Sequence, residues 1–135
     1  MSDWNATIIE EFRTSEGRVG GPFEGKTLTL ITYRGRRTGT VRTTPLAYRR
    51  EDGRVFVFAS KGGSRTDPHW MLNLRAHPDV TVEIGTDRFP ARAVEITGSE
   101  RDAIYARQAA DWPAFGEYQE GNPRTIPVVE LVPTD

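Results

Sequence analysis

Six arginines and no acidic residue fall between Tyr33 and Arg50, and four of them, Arg34, Arg36, Arg37 and Arg42, share the stretch RGRRTGTVRTTP with Thr38 and Thr44. A guanidinium matches phosphate and carboxylate oxygens in a bidentate fork, so clustered arginines select a compact polyanion as ligand. Like charges at a tight turn repel unless an anion or a distant carboxylate neutralises them, which weighs against the alternative of a merely solvated loop. Further along, Ser60 and Lys61 open the run SKGG, placed after a strand and before a capped helix as a phosphate-cradling loop would be. No Walker pattern accompanies it, and Gly-Gly after a strand is also ordinary turn chemistry, so its weight comes from the arginines. His69, Trp70 and Asn73 follow, with Trp70 and Asn73 on one helical face. Trp70 suits a core first and a cofactor second, whereas a buried Asn73 amide needs partners and could pair with the edge of a heterocycle. Trp112, Phe115 and Tyr118 recur every third residue. They fit either a helix packed on its neighbours or an aromatic wall over a planar ligand, with the Tyr118 hydroxyl as a polar handle.

The elements that must position these groups are short. An alternating run from Leu28 to Tyr33 and a second run from Val41 to Tyr48 predict a β-hairpin with the arginines at its tip and glycines at both shoulders. Upstream, Asp3 or Asn5 caps a helix with Ile8, Ile9 and Phe12 on one face, and GRVGGPFEG is a loop. Val55, Val57 and Ala59 alternate in a third strand. Asp67 as N-cap and Pro68 at the first helical position start a two-turn helix that stops before Pro78. Val80 to Ile84 and Phe89 to Ile96 form two more strands, the second with Pro90 marking an edge or a bulge. Ser99 caps a further helix with Asp102 at its capping-box position, and Thr125 to Val132 is a closing strand. Hairpin connections predominate over βαβ repeats. The expected fold is mainly β with short helices, a small antiparallel barrel of about six strands.

Composition narrows the chemistry. The 135 residues suit one domain over 1–135, with 1–25 a helical and loop N-terminal segment. There is no apolar run of the roughly 18 residues that span a bilayer, and the N-terminus carries acids where a signal peptide carries bases, which predicts a cytoplasmic chain. Cysteine is absent, His69 and His77 are the only imidazoles, and no metal site is expected. The net charge of -1 opposes nucleic acid as a partner.

In order and spacing, RGRRTGTVRTTPL, ASKGG, DPHWMLNLRAHPDVTVEIG, FPARA, FGEYQ and RTIPVVEL resemble the deazaflavin (coenzyme F-420)-dependent nitroreductase and quinone reductase family, as do NATIIEEFR and GGPFEGK near the N-terminus. The resemblance covers nearly the whole chain. It implies a split β-barrel related to flavin-mononucleotide oxidases and, as cofactor, coenzyme F-420, an 8-hydroxy-5-deazaflavin with a phosphate and polyglutamate tail. It sets that tail against Arg36, Arg37, Thr38 and Arg42, the deazaflavin along Thr44, Pro45 and Leu46, Ala59, Ser60 and Lys61 at the inner end of the third strand, and His69, Trp70 and Asn73 beside the cofactor. Ala47, Trp112, Phe115 and Tyr118 would face the acceptor, a quinone, nitro compound or similar electron-poor conjugated molecule, with Ser60 and Tyr118 as catalytic groups. Family members often carry Lys at the position of Arg37, and a nitroimidazole-activating member has Tyr at the positions of Ala47, Trp112 and Phe115. FMN in place of F-420, a non-catalytic deazaflavin carrier, and a single-strand nucleic-acid barrel are the alternatives. The chain would act as a monomer or homodimer, and Ile8, Ile9 and Phe12 would bury against the barrel, a partner or a membrane surface.

Overall fold

Alternation of apolar residues around a closed sheet explains most of the architecture. The structure, a computed structural model, describes residues 2–15, 17, 28–37, 39–61 and 64–134, with side chains from Ala6 onward; Thr38, Gly62, Gly63 and all of the GRVGGPFEG loop except Gly17 lie outside the described residues. Six antiparallel strands, β1 (Leu28–Arg34), β2 (Val41–Glu51), β3 (Arg54–Phe58), β4 (Asp79–Ile84), β5 (Asp87–Ile96) and β6 (Val128–Pro133), close into a barrel in the order β1-β2-β3-β6-β5-β4. Closure comes from β1 pairing with β4 through Leu30↔Glu83, Ile31↔Val82 and Thr32↔Thr81. The barrel thereby leaves no long unpaired edge.

One residue parity fills the barrel: Ile31 and Tyr33 of β1, Val55 and Val57 of β3, Val80 and Val82 of β4, and Val129 and Leu131 of β6 share a core with Ala59. Helix α2 (His69–Ala76) adds Trp70, Met71 and Leu74 to that core, which fixes its position against the barrel. The opposite parity is covered from outside. Helix α1 (Ser2–Thr14) lays Ile8 and Phe12 on Leu28 and Leu30. Helices α3 (Gly98–Asp111) and α4 (Ala114–Gln119) cover Phe56, Phe58, Ile96 and Val128 with Ile104, Tyr105 and Phe115. Strand β3 is therefore buried on both faces. No described helix is long and apolar enough to cross a membrane.

Several local expectations shift. Asp67 does not cap α2: Pro68 holds the N-cap position, and Asp67 instead pairs with Arg75 at 2.8 Å and Arg124 at 2.9 Å, an exchange of a weak cap bond for two charged ones. Helix α3 begins at Gly98 after Thr97, so Ser99 and Asp102 form no capping box, and Asp102 accepts from Arg101 at 3.0 Å. Pro90 is neither at a bulge nor on a free edge strand. It keeps register with Thr81 on β4, while β6 pairing on the other side reaches only Ala91↔Pro133, so its missing N–H falls where that ladder runs out. Gly17, at φ +93°, closes α1 against the β4–β5 turn, where an added Cβ would stand 2.6 Å from the Gly85 Cα.

Candidate functional site

The hairpin joining β1 and β2 is pinned from within and from α2. Its last strand pair is Arg34↔Val41; the Gly35 N–H donates to the Thr40 carbonyl at 2.8 Å, and the Gly39 N–H to the Gly35 carbonyl at 2.9 Å. Gly39 takes φ +74°, a conformation a side chain would strain. Asn73, buried on α2, accepts both the Arg36 N–H and the Arg36 Nη1–H at 3.0 Å through one amide oxygen. The buried amide thus finds its partners on the hairpin, because α2 packs into the barrel end directly beside the tip, and Asn73 still lines the cleft there.

The result is a cleft of about 420 Å³ lined by Tyr33, Gly35, Arg36, Arg37, Arg42, His69 and Asn73. Among the described residues no acidic side chain lines it, and Arg36, Arg37 and Arg42 belong to none of the ion pairs. Three guanidiniums around one concavity, without an ion-pair partner among the described residues, suit an anion with several charged oxygens. Thr44, Pro45, Leu46, Ala59, Ser60 and Lys61 do not line this cleft. From the cleft the Tyr33 hydroxyl reaches Thr44 Oγ1 at 3.2 Å, and Pro45 and Leu46 follow, half-buried, along β2. Ala59 is wholly buried in the barrel, with its N–H donating to the Pro127 carbonyl at 3.0 Å, and the Trp70 ring joins the same interior cluster. Both side chains therefore point into the core.

After β3, Ser60 is half-buried and Lys61 adopts φ +50°, a left-handed conformation that costs a non-glycine residue roughly 1–2 kcal/mol. The Lys61 ammonium is exposed and donates to Thr66 Oγ1 at 3.3 Å. What anchors this stretch is Arg124, a residue the sequence reading passed over. Its Nη2 donates to the Ser60 carbonyl, its Nε to the Ser64 carbonyl and its Nη1 to Asp67 Oδ1, each at 2.9 Å. A lone arginine inside GNPRTIP, with no acid within four residues on its C-terminal side, was the available signal; its partners lie about sixty positions away and only folding brings them in.

The aromatic trio is part wall and part core. Phe115 is buried against Phe58, with ring centroids 5.5 Å apart, and its carbonyl accepts the Tyr105 hydroxyl at 2.6 Å. Burial pushes the Tyr105 phenol up to about 12. Trp112 and Tyr118 stand edge-to-face on either side of Phe115, at 5.1 and 5.4 Å, and remain half-buried. Ala47 on β2 packs against this cluster and against the α1 cluster, so it lies between the two outer helical layers.

Comparison with known proteins agrees over nearly the whole chain. The family model described as F420H2-dependent quinone reductase matches residues 4–133. An F420H2-dependent quinone reductase of Mycobacterium tuberculosis is 35% identical over 129 residues, covering 89% of this chain and 83% of that protein. Among solved structures, an F420-H2 dependent reductase (FDR-A) superposes with TM-score 0.71 at 34% identity, over 78% of this chain and 93% of that one. A chain described as a domain-swapped dimer gives TM-score 0.73 at 31% identity, over 93% and 92%. A pyridoxamine 5'-phosphate oxidase-like protein of Listeria innocua shares the fold at TM-score 0.60 and 14% identity. With its closed six-strand barrel, its arginine-lined cleft and a family match from residue 4 to residue 133, this chain belongs to the F420H2-dependent quinone reductase family.

Proposed function

We propose that this oxidoreductase binds reduced coenzyme F-420 with its anionic tail in the arginine cleft and its ring system along β2, and reduces a quinone stacked beneath Trp112 and Tyr118. The observation that carries the reading is the cleft itself: Arg36, Arg37 and Arg42 converge with His69 and Asn73 and meet no carboxylate among the described residues. These residues fit a phosphate and polyglutamate tail, which offers many oxygens to bidentate donors. When bound, the reduced deazaflavin supplies a hydride.

The chain's own groups then have positional work. Asn73 holds the Arg36 backbone and guanidinium toward the cleft, and the Tyr33–Thr44 contact fixes the strand over which the ring would lie. Thr44, Pro45 and Leu46 would flank the ring, while Ser60 and Lys61 would approach it from the end of β3. Ala47, a small side chain packed where the outer layers meet, would face the acceptor. The hydroxyls of Ser60 and Tyr118 would polarise the acceptor oxygen as negative charge develops, with Tyr118 or solvent returning the proton. Nitro compounds present a similar electron-poor oxygen and extend the acceptor class. We further read residues 1–135 as one domain in a cytoplasmic setting, and the likeness to the domain-swapped dimer favours a homodimer. The apolar face of α1 is already covering Leu28 and Leu30, which supports the intramolecular option for Ile8 and Phe12 over membrane contact.

Two measurements test the reading. Titration with F-420 and with FMN should show binding of the deazaflavin at least tenfold tighter; equal or tighter FMN binding rejects the cofactor assignment. In single-turnover reduction of menaquinone, Ser60→Ala combined with Tyr118→Phe should slow hydride transfer well beyond twofold, and a smaller change removes both residues from the mechanism.

A further inference from the structure

The two hydroxyls assigned to the acceptor come from separate elements, Ser60 from the end of β3 and Tyr118 from α4, and one hydrogen-bonded bracket joins those elements. Arg124 donates to the Ser60 and Ser64 carbonyls and pairs with Asp67, all at 2.9 Å, with its side chain only 14% exposed. Asn122, two residues earlier, donates through Nδ2 to the Ser64 carbonyl at 3.0 Å and to the Tyr118 carbonyl at 3.3 Å. The bracket is closed internally, because Asn122 Oδ1 accepts the Arg124 N–H at 3.1 Å. Backbone from β3 and backbone from α4 thus meet on the same pair of side chains.

We propose that Arg124, assisted by Asn122, is a positioning residue that sets the register between the hydride donor and the acceptor; this rests on the reading that Ser60, Lys61 and Tyr118 border the reacting groups. Three features of the geometry support it. The guanidinium uses three nitrogens on three different residues, a planar demand an ammonium cannot meet. It grips the carbonyls of Ser60 and Ser64 on either side of Lys61, whose left-handed backbone persists only if its surroundings enforce it. It also reaches Asp67, next to the helix whose Asn73 holds Arg36, so one side chain links the acceptor wall, the end of β3 and the route to the arginine cleft. Arg124 does not itself line that cleft. Its effect on hydride transfer would be indirect, and a displacement of about 1 Å in such a site costs up to about a hundredfold in rate.

The test compares Arg124→Lys and Asn122→Ala with a control, Arg54→Met, which removes a comparable pair of carboxylate contacts, to Glu130 and Glu100, on the outer face of β3. In the cofactor-free full chain, Arg124→Lys should speed amide hydrogen exchange at Ser64 and Thr66 at least tenfold while the barrel strands keep their protection. With F-420 bound, hydride transfer to menaquinone should slow tenfold or more in Arg124→Lys, with an enlarged isotope effect from C5-deuterated cofactor, and Arg54→Met should stay within twofold. Transfer within twofold of the parent in both bracket variants, or losses no larger than in the control at equal loss of melting temperature, overturns the proposal. Should Arg124→Lys fail to fold, Asn122→Ala alone decides by the same limits. If Ser60→Ala with Tyr118→Phe is slow and the bracket variants are not, this inference falls while the functional reading stands. If the bracket variants are slow and that double variant is not, the functional reading falls and takes the inference with it.

Discussion

Arginines cluster at both ends of strand β2, in the hairpin that leads into it and near its exit, and the two ends use them in opposite ways. At the far end Arg49 donates to Glu51 and to Asp111, each at 2.6 Å, while Arg107 from α3 reaches both Glu51 oxygens at 2.8 Å. That network ties α3 to the β2–β3 hairpin. The hydrogen bond from Arg107 is the main cause that pulls the Glu51 carboxyl down to about 2, opposed by partial burial and reinforced by Arg49. At the near end Arg36, Arg37 and Arg42 face a cleft with no carboxylate among the described residues of its wall. The supply of acids, and not of arginines, separates a structural cluster from a binding one. A cation already neutralised within the fold has little left for a ligand, and one left alone makes the free protein store repulsion that a bound anion relieves.

The contrast can be tested from the cleft outward. Removing two cleft cations together, Arg36→Ala with Arg37→Ala, should raise the F-420 dissociation constant tenfold or more, about 1.4 kcal/mol per decade. Unchanged affinity in a titration would return the hairpin to a solvated loop. At the other end, Glu51→Gln should leave cofactor affinity within twofold and lower stability by about 1 kcal/mol in denaturant unfolding. An affinity loss there would dissolve the distinction between the ends.

The same variant has a pH signature. Glu51 titrates near 2 in the fold and near 4.5 when unperturbed, so its stabilising contribution is complete above about 4.5 and is lost as pH falls toward 2. Glu51→Gln should flatten the acid limb of the stability profile between those values, and an unchanged slope would place the acid sensitivity elsewhere. Raising ionic strength from 0.05 to 0.5 M should weaken cofactor binding several-fold while the melting temperature moves little, since the Debye length falls to only a few Å while the partly buried network stays in direct contact. Smallest of all, Arg107→Ala should leave the denaturant midpoint nearly unchanged, because its guanidinium is half exposed. A clear fall of the midpoint would show that the network is more dry than its exposure suggests.

Much of the barrel was legible because its rules are local. Alternation marked Leu28, Leu30, Val55, Val57, Val80 and Val82, and the closed sheet follows from strands too short and too hairpin-linked for a parallel fold. Helix starts were less legible. Asp67 reads as a cap and Asp102 as the capping-box partner of Ser99 because capping is a short-range pattern, yet both carboxylates pair with arginines, Asp67 with Arg75 and Arg124 and Asp102 with Arg101. Phe115 shows the same limit: spacing put it in line with Trp112 and Tyr118, but nothing local says that Phe58 lies beneath it.

The sequence by itself determined the clustering of arginines without an acid between Tyr33 and Arg50, and its motifs carried the family. Only the tertiary structure decided how that site is held. Asn73 turned out to brace Arg36, and Arg124 to clasp Ser60, Ser64 and Asp67 across about sixty residues of chain. The physical reason is range: charge composition and periodicity are written along the chain. Which buried donor meets which carbonyl is settled by the closing of the barrel and the packing of α2 into its end.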